Sequence, residues 1–216
     1  MTEVSSAPRT PASVWLLAAA MVVAYGLFTL ASRDRQDAVD FAFALIPQRF
    51  DTASPYRFEQ PYEMLGPIFG HAFLHAGWWH VGLNAFFFFL LGRLPAQRLG
   101  DVRFVLLFLI SAAGSAFAYL VLAGKGGMPA VGASGAVCGV FTAYYLAIPP
   151  HWSIALRDAR IRNQWAVIFF INVVAMGVVA ELGWFPIAWQ AHLGGFVAGG
   201  LAYAALAPKR AQSPWD

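Results

Sequence analysis

Long apolar stretches separated by short polar segments make up most of the chain. Five of them come close to or exceed the roughly 20 residues that a helix needs to cross about 30 Å of hydrocarbon. These stretches are residues 14–31, 68–91, 104–123, 165–182 and 187–207. A sixth, residues 134–148, has 15 residues, and as a helix it would be about 22 Å long, which is shorter than the hydrocarbon layer. The pattern predicts an all-α membrane protein with six transmembrane helices, the fourth of which is short.

The polar segments predict how the rest of the chain is organised. Residues 1–13 are expected to form a disordered tail and residues 208–216 a short tail, leaving residues 14–207 as one membrane domain. We expect the first stretch to be a retained helix, because Arg9 is the only basic residue before it and the cleavage site after it is weak. The long connection after it contains DAVDFAFALIPQRF, whose mixture of aromatic and charged residues favours an interfacial or re-entrant segment.

Composition supports a membrane protein. Of the 216 residues, 59% are hydrophobic and 12% are charged, whereas an average soluble domain is about a quarter charged. The mean hydropathy is +0.60. The net charge of +3 could indicate a nucleic-acid partner, but the basic residues do not form one patch, so no nucleic acid is expected. The expected partners are the lipid bilayer and membrane proteins, and the oligomeric state stays open.

The basic residues instead follow the predicted topology. With six spans and both termini in the cytoplasm, nine basic residues fall inside and five outside, as the positive-inside rule requires. The inner set is Arg9, Arg93, Arg98, Arg103, Arg157, Arg160, Arg162, Lys209 and Arg210, and the outer set is Arg33, Arg35, Arg49, Arg57 and Lys125. A small chain without a transit-type leader predicts a bacterial cytoplasmic (inner) membrane.

Four polar side chains lie within the predicted spans, where polar groups are costly. They are His80 and Asn84 in the second span, Ser134 at the start of the fourth, and His192 near the start of the sixth. In the predicted topology all three spans begin at the outer side. We therefore expect these four residues to lie at similar depth.

Ser134, in the segment GASGAVCGVF, has two interpretations. A serine flanked by glycines usually serves close helix packing, and the motif alone favours that interpretation. However, His192, Gly195 and Gly199 share one helical face, and Gly135 and Gly139 form a similar small-residue face beside the serine. Helices that meet across glycines approach closely, which would bring the hydroxyl and the imidazole within hydrogen-bond reach. Histidine can take the proton of a serine, so the pattern predicts a Ser–His nucleophile and base.

Acyl transfer also needs hydrogen-bond donors for the oxyanion of the tetrahedral intermediate. Ser134 opens its helix, where backbone N–H groups are free. His80 and Asn84 lie one turn apart on one face of the second span, and either side chain can donate. For Asn84 alone, an interhelical hydrogen bond is the stronger interpretation. The short fourth helix leaves a hollow above Ser134 through which water can enter.

Three motifs in this order give the chain a recognisable pattern. They are HAFLHAGWWHVGLN (71–84), GASG (132–135) and AHLGGFVAG (191–199). From about residue 12 to 207 the chain resembles the rhomboid family of intramembrane serine proteases, which have a six-helix, rhomboid-like bundle.

The resemblance implies a role for each candidate residue. Ser134 would be the nucleophile and His192 the general base and then the acid. His80, Asn84 and the Ser134 amide would surround the oxyanion. The implied substrates are single-span membrane proteins cut in or near the membrane, and no metal or cofactor is implied.

The chain also departs from the family pattern at three places. Many members have an aromatic residue four positions after the serine, stacked on the catalytic histidine, where this chain has Cys138. Trp189 is another ring that could position His192. A Trp-Arg pair in the outer loop is replaced by Gly66-Pro67, and a glutamate after the second span is absent. We expect these changes to affect loop anchoring and not the Ser–His pair.

Alternative functions remain open on the sequence alone. A non-catalytic rhomboid-fold protein that binds membrane clients would keep the fold, although such relatives usually lack the serine or the histidine. A zinc protease could use His71 and His75, spaced as on a zinc-binding helix, together with His80. The general base of the His-Glu-x-x-His motif is missing, because residue 72 is alanine, so structural roles for these histidines are favoured.

Overall fold

The computed structural model describes residues 9–208, and these residues form a bundle of helices. Most of the two predicted tails lies outside the described residues. At the amino end, helix α1 already begins at Ala12, inside the predicted tail. The α-helices in chain order are α1 (Ala12–Leu30), α2 (Arg33–Phe43), α3 (Leu65–Gly70), α4 (Trp78–Leu99), α5 (Asp101–Leu122), α6 (Ser134–Ala147), α7 (Trp152–Ala155), α8 (Ala159–Phe169), α9 (Met176–Glu181) and α10 (Trp189–Leu206). Short 3₁₀ turns cover Pro47–Phe50, Pro61–Met64 and His71–Phe73, and a π-helical turn, Phe170–Ala175, joins α8 to α9.

The helices confirm an all-helical membrane protein. Among the described residues, three helices are long and apolar enough to cross a bilayer: α1, α5 and the continuous helix Ala159–Glu181. A bent pair of helical segments, Pro61–Phe73 and Trp78–Leu99, brings the number to four if the pair counts as one span. Helix α6 is apolar but has 14 residues, which corresponds to about 21 Å. Helix α10 has 18 residues and is not among the three.

The predicted boundaries of the second span, residues 68–91, are wrong at both ends. The chain bends by 87° between the two segments, and α4 begins only at Trp78. The His71 carbonyl accepts hydrogen bonds from the amides of Leu74 and Gly132, at 3.3 and 2.8 Å, and the chain leaves the helix there. At the other end, α4 continues beyond residue 91 to Leu99. The end of the apolar stretch marks the expected lipid boundary, whereas the helix itself continues until Gly100, whose φ is 79°.

The centre of the bundle is the contact of α10 with α5 and α6. A Cβ added to Gly195 would lie 1.8 Å from the Gly135 carbonyl oxygen, and one added to Gly199 would lie 2.2 Å from the Gly139 Cα. These glycines therefore bring the two backbones into direct contact, which confirms the predicted small-residue interface. Ser111 and Ser115 of α5 face the same glycines of α6, Gly139 and Gly135.

The long connection after α1 is attached to the segment that precedes α6. Leu45 and Ala130 form an isolated antiparallel bridge with hydrogen bonds of 3.0 and 2.9 Å. The Arg49 guanidinium lies 4.1 and 4.0 Å from the ring centroids of Phe41 and Phe58, and it donates to the Phe41 carbonyl. This cation–π contact anchors the connection in a chain that lacks the Trp-Arg pair.

Two polar contacts fix the ends of the bundle. Lys125 forms an ion pair with Asp51 at 2.9 Å, and its ammonium holds the pKa of that carboxyl below its usual range. At the opposite end, the amide and hydroxyl of Ser13 donate to the Asp101 carboxylate at 2.8 and 2.6 Å. The second contact ties the start of α1 to the start of α5.

The glycine interface predicts a specific loss of stability. Gly195→Ala would place a methyl group against the Gly135 carbonyl, and we expect a loss of about 1–3 kcal/mol in the free energy of unfolding because the helices must separate. Gly82→Ala is the matched control, since Gly82 is also helical and has no atom within 4 Å of the added Cβ. Thermal or denaturant unfolding in detergent, followed by circular dichroism, measures both. Equal stability of the two variants would contradict this account.

Candidate active site

Ser134 and His192 are in contact. Ser134 is the first residue of α6, and His192 lies one turn into α10. The distance between the Ser134 Oγ and the His192 Nε2 is 2.9 Å. The imidazole is buried, and the glycine contact between α6 and α10 starts at the residue after the serine. Two helices that meet at glycines thus place a hydroxyl beside an imidazole.

The second nitrogen of His192 contacts a backbone carbonyl. Its Nδ1 lies 2.9 Å from the carbonyl oxygen of Asn172, which belongs to the π-helical turn. A carbonyl can only accept, so the Nδ1 must carry the proton and donate it. In the neutral imidazole this leaves the Nε2 as the acceptor for the Ser134 hydroxyl. The hydrogen-bond partners therefore assign the tautomer that a general base requires.

Sequence reasoning missed this carbonyl. The side-chain amide of Asn172 donates to the Ile168 carbonyl of its own helix at 2.9 Å. The contact with the neighbouring helix comes from the backbone. Since every residue has a carbonyl, residue identity gave no signal for it; only the change of helix type marks the position.

His80 lies against the chain that leads into Ser134. Gly132 has a φ of 120°, and a Cβ at this glycine would lie 2.6 Å from the His80 Cε1. Only glycine fits this backbone conformation and this distance to the ring without strain. The amide of Ala133 donates to the His75 Nε2 at 3.4 Å. Two histidines therefore support the two residues that precede the serine.

The buried Asn84 lies one turn beyond His80 in α4. Its side-chain amide donates to the His80 carbonyl at 3.0 Å, inside its own helix. This bond uses one of the two amide hydrogens, so the other can serve a further acceptor. The predicted oxyanion role of Asn84 stays a prediction.

The other histidines have partners of their own. The His71 Nδ1 contacts the Pro67 carbonyl at 2.9 Å, and the rings of His75 and His80 meet edge to face at 5.1 Å. Within residues 9–208, no three His, Cys, Asp or Glu side chains are arranged to hold a metal ion. This arrangement favours structural roles for His71 and His75.

Cys138 and Trp189 both belong to a cluster of apolar side chains formed by α6, the helix Ala159–Glu181 and α10. Cys138 is buried in a cluster with Val173 and Phe196. Trp189 packs beside Gly177 of α9, where an added Cβ would lie 3.4 Å from the indole, and it donates to the Glu181 carboxylate at 3.4 Å. Trp189 thus joins α9 to α10.

The site and fold define a helical membrane protein with a buried Ser–His pair, and the comparisons identify its family. The model of the Rhomboid domain matches residues 62–209, which is most of the chain. The chain therefore belongs to the rhomboid family.

Individual relatives agree with this assignment. The chain is 33% identical over 160 residues to Rhomboid protein 1, mitochondrial, of Saccharomyces cerevisiae, an alignment that covers 67% of this chain and 45% of the yeast protein. It is 33% identical over 132 residues to RHOMBOID-like protein 1 of Arabidopsis thaliana, covering 61% of this chain and 32% of the plant protein. RHOMBOID-like protein 5 of the same plant is 28% identical over 127 residues, covering 58% and 39% of the two chains. The chain spans less than half the length of each of these relatives.

The Gly132–His80 contact predicts a loss of serine reactivity. Gly132→Ala would push the His80 ring away and strain the turn before Ser134, so we expect the rate of fluorophosphonate labelling to fall about tenfold, equivalent to roughly 1.4 kcal/mol. Gly124→Ala is the control, because Gly124 also has a positive φ of 67° but no atom within 4 Å of an added Cβ. Gly124→Ala should lose stability yet retain labelling. Labelling of the Gly132→Ala variant at the unaltered rate would refute the contact's role.

Proposed function

We propose that this protein is an intramembrane serine endopeptidase that uses a Ser134–His192 dyad. The observation that carries the proposal is the 2.9 Å contact between the Ser134 Oγ and the His192 Nε2, with the Nδ1 held by a carbonyl acceptor. A serine hydroxyl becomes an effective nucleophile when a base in this tautomer accepts its proton. Membership of the rhomboid family supports the proposal.

The reaction follows from these contacts. The His192 Nε2 takes the hydroxyl proton while the Ser134 Oγ attacks the carbonyl carbon of a peptide bond, giving a tetrahedral oxyanion. The imidazolium then gives its proton to the departing amine as the C–N bond breaks, leaving an acyl-enzyme. Water attacks the ester with His192 again accepting the proton, and proton return to the Ser134 Oγ releases the carboxyl product.

Donors for the oxyanion would come from two elements. The Ser134 amide lies at the start of α6, where helix N–H groups are free and the helix dipole is positive. His80 lies beside Gly132, two residues before the serine, and Asn84 follows one turn later on the same helix. We assign these two side chains to oxyanion stabilisation.

We propose that the described bundle crosses the membrane six times with both termini in the cytoplasm. The spans would be α1, α4, α5, α6, the helix Ala159–Glu181 and α10. Helix α6 has 14 residues, so its first residue would lie below the outer surface, and water could reach Ser134 from that side. The excess of basic residues on the inner side supports this orientation. The proposed location is a bacterial cytoplasmic membrane.

The proposed substrates are single-span membrane proteins. A peptide bond in a regular helix is shielded by the helix itself, so the substrate segment must unwind to reach Ser134. Family membership suggests membrane protein substrates, and small or helix-breaking residues near the cleaved bond would ease the unwinding.

Substrate cleavage by two serine variants tests the proposal. Ser134→Ala should lower cleavage of a model single-span substrate in liposomes by at least about a thousandfold, because the nucleophile is lost. Ser111→Ala is the matched control, since that buried hydroxyl donates to the Leu107 carbonyl of its own helix at 2.7 Å. The Ser111→Ala variant should cleave the substrate at a rate within about twofold of that of the unsubstituted protein.

Two outcomes would contradict the protease assignment. Cleavage by Ser134→Ala at the normal rate would exclude this serine as the nucleophile. An unsubstituted protein that binds the substrate and leaves it intact would instead support the alternative, a non-catalytic rhomboid-fold protein that binds membrane clients.

A further inference from the structure

The helix Ala159–Glu181 changes type beside His192. It is α-helical to Phe169, π-helical over Phe170–Ala175 and α-helical again from Met176. π-Helical turns are rare, and they occur often at functional sites. The π-helical turn therefore differs from the rest of the helix, and its presence needs a physical explanation.

The change of helix type alters which carbonyls are bonded. In a regular α-helix the Met176 amide would bond the carbonyl of Asn172, four residues earlier. Here that amide instead bonds the carbonyls of Ile171 and Val173. The Asn172 carbonyl has lost its α-helical donor, and it accepts the Nδ1–H of His192 at 2.9 Å.

The packing of this helix concentrates on the same turn. Between Ala159 and Glu181, the buried residues are Val173 in the π-helical turn and Gly177 one turn later. Val173 packs with Cys138 and Phe196. This packing therefore holds the π-helical turn against α6 and α10.

We propose that the π-helical turn Phe170–Ala175 is a positioning element for His192, acting through the Asn172 carbonyl. The inference rests on the proposed dyad. The carbonyl fixes the orientation of the ring, as aromatic stacking would in family members with a ring at the position of Cys138, and it also fixes the tautomer. It can keep its bond to the Nδ1–H in both the neutral and the protonated imidazole. It also avoids burying a carboxylate, which is costly within a membrane.

Replacing single backbone amides by esters tests the proposal without changing any side chain. An α-hydroxy acid analogue of valine at position 173 turns the Asn172 carbonyl into an ester carbonyl, which is a weaker acceptor. The same analogue at position 178 is the matched control, because it removes one N–H from the same helix at another valine, beyond the π-helical turn, and weakens the Gly177 carbonyl instead.

The kinetic readout separates positioning from substrate binding. For the ester at 173 we expect kcat to fall about fivefold, with KM within about twofold, because a weakened hydrogen bond no longer fixes the base. The rate of fluorophosphonate labelling should fall by the same factor. The ester at 178 should change neither. Equal losses in both esters, or a change confined to KM, would overturn the proposal.

A spectroscopic measurement distinguishes failure of this inference from failure of the protease assignment. In ¹⁵N-histidine-labelled protein, with the His192 signals assigned by their loss in His192→Gln, the nitrogen shifts report which ring nitrogen carries the proton. We expect the Nδ1–H tautomer in the unsubstituted protein and a less uniform population in the ester at 173. The Nε2–H tautomer in the unsubstituted protein would overturn the inference. A protein that shows the Nδ1–H tautomer but neither labels nor cleaves would overturn the dyad's activity alone.

Discussion

The close backbone contact between α6 and α10 is the constraint on which the site depends. Lipid tails are as apolar as the helices, so helix association in a membrane relies on close van der Waals contact and on hydrogen bonds. The glycines at 135 and 195 remove the side chains that would hold the two backbones apart. Ser134 precedes one of these glycines and His192 lies three residues before the other, so the contact that assembles the bundle also joins the hydroxyl to the imidazole.

The imidazole completes a chain of hydrogen bonds across three helices. It accepts from Ser134 of α6, it belongs to α10, and it donates to the backbone of the π-helical turn. The hydroxyl and the carbonyl restrict the orientation of the ring through different nitrogen atoms, and together they assign one tautomer. On the opposite side of the serine, His75 and His80 hold the incoming chain. The site is thus built mainly from backbone geometry with few polar side chains.

The sequence predicted the features that side-chain chemistry determines. The apolar stretches located α1 and α5 to within a few residues, and the glycine periodicity located the interface of α6 with α10. Features that depend on the conformation of the backbone were not predictable in this way. The bend before Trp78 lies within a stretch that is apolar on average although it contains His71 and His75, and average hydropathy does not distinguish a helix from a turn. The bonding of the Asn172 carbonyl depends on helix register, which residue types do not encode directly. The anchoring by Arg49 depends on two rings that meet only in the folded chain.

The central claim is that His192 activates Ser134, and the most direct measurement is the site of covalent modification by a fluorophosphonate in lipid bilayers. Mass spectrometry of the digested protein identifies the modified serine, with and without the substitution His192→Ala. The account predicts modification of Ser134 in the unsubstituted protein, none at Ser111 or Ser115, and a near-complete loss in His192→Ala. Equal modification of Ser134 in both proteins, or modification of a different serine, would contradict it.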